Sequence, residues 1–243
     1  MDSFIYYIKS NYDLLFKSAE VLAAIIGIFL FKKYKNDNAA RLFIYFLIYV
    51  NIVETVGAYP HVLRGYPDDN WVNLALKNTV FYQNTWWYTL MWDIGVSIFL
   101  SFYFFKILKT NFFKKVVKYF SVILILYQII LFIYKFDLLI NSSILNITML
   151  HMILVVVLTS LYFIELINSD SIIKFYKSLP FYVATATLIF TIIQTPIYFF
   201  ESYYNTNDES FIALQRTINV FSIILMYFTF GYGLIKSEPD TTT

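Results

Sequence analysis

The chain has 243 residues, is 59% hydrophobic and only 14% charged, and has a mean hydropathy of +0.63. A soluble domain carries about 25% charged residues and about 45–50% apolar ones, so a water-soluble fold is excluded and lipid is the expected solvent. The net charge of +2 is too small for a nucleic-acid partner, and the absence of cysteine removes disulfides, thiolate catalysis, iron–sulfur clusters and cysteine-ligated zinc.

Backbone in lipid must bond to itself, so spanning segments are helices or closed barrels. The apolar runs here are long and lack the alternation of barrel strands. At about 20 residues per crossing, the sequence predicts seven spanning helices over 14–31, 42–59, 86–108, 117–136, 144–167, 179–200 and 211–235. The expected fold is all-α: one seven-helix transmembrane bundle occupying residues 1–243 as a single domain.

The first run is interrupted by Lys17 and Glu20. The segment before it carries Asp2, Lys9 and Asp13 and has no basic n-region, which argues against a cleavable signal peptide. Its Phe4–Tyr7 stretch is expected at the membrane surface.

Lys and Arg favour cytoplasmic loops. Lys32, Lys33, Lys35 and Arg41, then Lys106, Lys109, Lys114, Lys115 and Lys118, then Lys174 and Lys177, and finally Lys236 fall on one side. Lys9, Arg64, Lys77 and Lys135 fall on the other. This asymmetry puts the N-terminus outside and the C-terminus in the cytoplasm. The richness in Ile, Phe, Tyr, Lys and Asn suits an AT-rich genome, so the expected location is a cell membrane, with a bacterial inner membrane favoured on composition alone.

The longest connection, 60–85, lies outside on this reading. Gly65, Pro67, Asp68 and Asp69 are turn signals, and 71–80 has helix-like alternation. A short interfacial helix is expected there, with Trp71, Trp86, Trp87 and Tyr88 as headgroup anchors. The weightier reading of these aromatics is depth-setting; a lid over an outward pocket is the alternative. A parallel repeat of the first and last three helices has no support in residue identity.

Charged and polar side chains inside spanning helices are costly, so they face the interior, paired or functional. Each run carries one: Glu20, Glu54, Asp93, Gln128, His151, Gln194 and Arg216. With the predicted topology each lies roughly 8–13 Å from its outer helix end, at about 1.5 Å per residue. A shared depth implies a polar cluster opening outward. Lys17/Glu20, Asn51/Glu54 and Arg216/Asn219 are i,i+3 pairs on single faces, and Pro196 beside Gln194 is expected to bend its helix.

The bland alternative is that these groups only join helices. Arg216 would neutralise a carboxylate of the first three helices, Lys17 would pair with Glu20, and Gln128, Gln194 and His151 would make interhelical hydrogen bonds. Against it stands the surplus of carboxylates over deep cations, because a buried unpaired charge is expensive.

Several seven-helix chemistries are excluded. The last helix has no lysine for a retinal Schiff base before Lys236, and two histidines, His61 and His151, are too few for a multi-histidine zinc hydrolase. The external disulfide and the charged motif after the third helix that mark rhodopsin-like receptors are missing. No phosphate-binding glycine loop or nucleophile elbow occurs, and no cofactor or metal is implied.

The candidate ligand- or ion-binding set is therefore Glu20, Glu54, Asp93, His151, Gln194 and Arg216, suited to a small cationic or zwitterionic ligand. A sensor of a small molecule or ion, reporting through its Lys-rich face to a cytoplasmic or membrane protein partner, is the leading expectation. A proton- or cation-coupled transporter comes second, since the inner halves are nearly bare of polar groups. An accessory protein with a structural polar cluster comes third, and enzymatic chemistry is disfavoured.

Overall fold

The computed structural model describes residues 2–65, 70–77, 79–140, 142–201 and 209–240; side chains at 2–13, 64, 140, 171, 200–201 and 209–211 are outside the description. Helix α1 is Asp2–Leu30, α2 Asn38–Gly57, α3 Tyr59–Arg64, α4 Trp71–Leu76, α5 Thr85–Ile107, α6 Asn111–Tyr134, α7 Leu145–Ile167, α8 Leu179–Glu201 and α9 Glu209–Lys236. No strand occurs among the described residues. Short 3-10 turns lie at Val80–Tyr82, Phe136–Ile140 and Asp170–Lys177.

Six of these segments are long and apolar enough to cross a membrane: Asn38–Leu63, Thr85–Ile107, Asn111–Tyr134, Leu145–Ile167, Leu179–Phe199 and Ile212–Lys236. The chain is thus a multi-pass, all-helical membrane protein. The first predicted run is part of a longer helix than expected. α1 starts at Asp2 rather than at residue 14; Ser10 to Asp13 contain no proline or glycine to stop a helix. A short helix is present at the expected place as α4, started by the Asn70 side chain, which accepts from the Val72 N–H at 2.9 Å.

The chain divides into two compact units, residues 1–47 with 159–243, and residues 48–158. In the first, α1 packs along α9 and α9 along α8. Its core includes Phe43 and Phe230, whose rings meet edge to face at 5.0 Å, with Val183, Ala184 and Leu234 fully buried. Asp37 starts α2: its Oδ1 accepts from the Ala40 N–H at 2.8 Å, satisfying one free donor of the first turn. Gly27 and Gly231 leave room for the neighbouring Ile44 and Ile26 side chains.

In the second unit, α5 packs on α6. Val80, Ile94, Leu131, Leu139, Ile144 and Ile147 form its buried apolar cluster, with Trp86, Leu90 and Phe132 against it. α5 is not uniform. Its second segment, Thr89–Ile94, is a π-turn. Such widened turns are frequent at functional sites because they re-aim side chains and free backbone carbonyls. Here the Tyr49 hydroxyl takes up the Met91 carbonyl at 2.5 Å, and Gly95 leaves the space that this hydroxyl occupies.

The aromatic residues at the start of α5 do more than set depth. The Trp87 indole donates to the Val53 carbonyl at 2.9 Å and that of Trp86 to the Tyr59 hydroxyl at 3.0 Å. Tyr59 in turn donates to the carbonyls of Phe81 and Gln83, and the Asn84 amide donates to the Gly57 carbonyl at 2.8 Å. These bonds tie the 80–88 segment to the end of α2. Trp71 on α4 is 76% exposed.

Candidate functional site

The six sequence-selected residues fall three in each unit. Glu20, Gln194 and Arg216 belong to the first; Glu54, Asp93 and His151 belong to the second.

In the first unit Glu20 is buried on α1 and its Oε1 meets Lys17 Nζ at 3.5 Å, the i,i+3 pairing that the spacing suggests. Gln194 is buried on α8 and donates to Ser222 Oγ of α9 at 2.7 Å, while Ser222 donates to its own helix at the Asn219 carbonyl, 3.0 Å away. That is an interhelical hydrogen bond with both partners occupied. Pro196 sits inside α8, which continues through it to Glu201.

Arg216 corrects an expectation. Its side chain is exposed and has no carboxylate partner among the described residues, rather than pairing with the first three helices. The reason is position: it lies seven residues into α9 from Glu209, or about 10 Å at about 1.5 Å per residue. An arginine that close to a helix end can extend its guanidinium to the interface and needs no buried counter-ion.

The second unit holds the connected constellation. Asp93 sits on the π-turn of α5, and its Oδ2 accepts from Thr148 Oγ1 of α7 at 2.9 Å. One turn on, Ser97 donates to the Asp93 carbonyl at 2.6 Å, and the same oxygen lies 2.8 Å from Nδ1 of His151 on α7. Gln128 of α6, fully buried, donates to the Ile147 carbonyl at 3.3 Å and weakly to Ser97 Oγ at 3.5 Å. Three helices thus meet at Ser97. Glu54, half-buried near the end of α2, accepts from the Tyr88 hydroxyl at 2.9 Å.

The hydrogen assignments in this cluster are constrained. Ser97 has one hydroxyl hydrogen, and the carbonyl of Asp93 takes it. With that hydrogen placement the hydroxyl oxygen accepts from His151, whose Nδ1 then carries the hydrogen. A neutral His151 therefore presents a bare Nε2.

Ser97, Thr148 and Tyr88 were missed by a search for charged residues. Helical spacing carries the signal: Asp93/Ser97 are i,i+4 and Thr148/His151 are i,i+3, each pair on one face. No group of three or more His, Cys, Asp or Glu that could hold a metal occurs among the described residues. No family model matches the chain, and neither the curated proteins nor the solved structures contain a match.

Proposed function

We propose that this chain is a sensor of a small molecule or ion in a cell membrane, and that its site lies around Asp93 and His151, with Glu54 beside it. Seven crossings with the N-terminus outside, α1 being the first, complete the reading. The observation that carries it is the meeting of α5, α6 and α7 at Ser97: a carboxylate on a π-turn and an imidazole on a neighbouring helix, each held by a hydroxyl from the other's helix. Spanning helices that only need to adhere use neutral bonds such as Gln194–Ser222. A carboxylate and an imidazole inside an apolar bundle are costly, and that cost is explained by a ligand.

On this reading Glu20, Gln194 and Arg216 serve the bundle rather than the ligand. The Lys-rich ends of α1, α5 and α6 face the cytoplasm and supply the surface for a protein partner. Purified protein in liposomes tests the assignment against transport. Sodium and proton fluxes should equal those of empty liposomes. A flux lost in both Glu54→Gln and Asp93→Asn would replace the sensor with a cation-coupled transporter. A thermal melt insensitive to every small cation, in the native chain and in Asp93→Asn alike, would leave the polar cluster structural.

A further inference from the structure

The geometry points to a primary ammonium head as the ligand of the Asp93–His151 site, an assignment that rests on the ligand-binding reading above. Every donor in the cluster is already engaged. The Thr148 hydroxyl donates to Asp93 Oδ2, the Ser97 hydroxyl to the Asp93 carbonyl, His151 Nδ1 to Ser97 Oγ, and the Gln128 amide nitrogen to the Ile147 carbonyl. What remains is acceptors. Gln128 is fully buried and its Oε1 has no partner, although its amide nitrogen is fixed at Ser97 and Ile147. His151 Nε2 is a bare nitrogen by the tautomer argument, and Asp93 Oδ1 is the second oxygen of a carboxylate bonded through its first.

A site that offers a carboxylate oxygen, an amide oxygen and an imidazole nitrogen, with no donor to spare, rejects anions. It also leaves the buried Gln128 oxygen unsatisfied unless the guest brings hydrogens. A primary ammonium carries one positive charge and three N–H donors on one head, one for each free acceptor. A quaternary ammonium has the charge without the donors. A divalent metal is disfavoured because no group of three or more His, Cys, Asp or Glu side chains placed to hold one occurs among the described residues.

The test is a thermal melt of the purified full chain in detergent at pH 7, titrated with methylammonium, tetramethylammonium or sodium chloride at constant ionic strength. Methylammonium should raise the Tm saturably, and the other two should leave it unchanged. Gln128→Leu, which keeps the side chain's bulk, should weaken the methylammonium response about tenfold or more, and Asp93→Asn should abolish it. Circular dichroism verifies that both variants remain helical. If Gln128→Leu fails to fold, Gln128→Met takes its place. A rise produced equally by sodium and lost in Asp93→Asn overturns the ammonium assignment and keeps the site. An equal rise with tetramethylammonium, or a methylammonium response unchanged by the Gln128 substitution, overturns the assignment as well. No rise with any of the salts overturns both the assignment and the site.

Discussion

Ser97 Oγ and His151 Nδ1 lie 2.8 Å apart, and the serine's only hydrogen already points to the Asp93 carbonyl at 2.6 Å. With the hydrogen placed there, the imidazole donates from Nδ1 and needs no charged partner to set its tautomer. Nitrogen-15 NMR of labelled histidine in a His61→Gln background should show His151 protonated at Nδ1. Ser97→Ala should release that preference and cost about 1–2 kcal/mol, because it leaves a buried N–H without its acceptor. An Nε2-protonated ring in the native chain would refute the tautomer and the free nitrogen that follows from it.

Gly57 ends α2 against two aromatic side chains. A Cβ there would come within 2.8 Å of the Tyr88 ring and hydroxyl and 3.0 Å of Trp87. Tyr88 is the donor to Glu54, so the smallest side chain at 57 pushes on the group that holds the carboxylate. Gly57→Ala should destabilise the protein by about 1–3 kcal/mol through overpacking. Tyr88→Phe in the same background should relieve only part of that strain, since the hydroxyl goes but the ring carbon at 2.8 Å stays. A Gly57→Ala melt equal to that of the native chain would show that the 85–88 segment yields freely.

Arg216→Ala should change stability by less than about 0.5 kcal/mol, as for a surface substitution away from any special contact. This reverses what the sequence suggests, and the reversal is instructive. Six of the seven apolar runs coincide with the long apolar helices, to within about six residues at either end, because hydrophobic length is a property of the segment alone. That Asp93 and His151 have polar partners is legible for a similar reason: a costly group inside a span needs company. Whether Arg216 pairs with a carboxylate depends on how its helix end meets solvent, and Gln128 and Thr148 matter only through which faces of α6 and α7 turn toward α5. Those are tertiary relations that a single sequence does not encode by periodicity. The π-turn at Thr89–Ile94 is equally silent in sequence, since nothing in its residues distinguishes it from an ordinary turn. A large Tm loss in Arg216→Ala would return the guanidinium to a buried pair.

Orientation rests on the distribution of Lys and Arg. A reporter active only in the cytoplasm should work when fused after Thr243 and fail when inserted at Asp69 or Thr206, both outside the described residues. Activity at Asp69 would invert the bundle and move the Asp93 site to the cytoplasmic half.

Outside the spans, the Tyr34 hydroxyl ties the chain's tail to the α1–α2 connection. It donates to the Leu234 carbonyl at 2.7 Å and lies 2.6 Å from Ser237 Oγ, with the ring wholly buried. Lys33 adds bonds to the Leu234 and Ile235 carbonyls at 3.1 and 3.0 Å, and Asp37 Oδ2 accepts the Asp240 N–H at 3.0 Å. These carbonyls belong to the last turn of α9, which has no helical partners of its own, so the loop caps the helix from outside. Burial pushes the Tyr34 hydroxyl up to about 12; the Ser237 bond works against this and the nearby Asp37 adds to it. The folded value therefore exceeds the ordinary tyrosine value of about 10. The stabilisation from keeping Tyr34 neutral is fully present below about pH 10 and is lost as the pH rises toward about 12. The native chain should thus lose stability over that interval. Tyr34→Phe should be about 1–2 kcal/mol less stable at neutral pH, from the carbonyl and hydroxyl left without their partner, and should show a smaller alkaline decline. Melts from pH 8 to pH 12 compare the two. Parallel alkaline declines would mean that ionisation of Tyr34 contributes nothing to the loss.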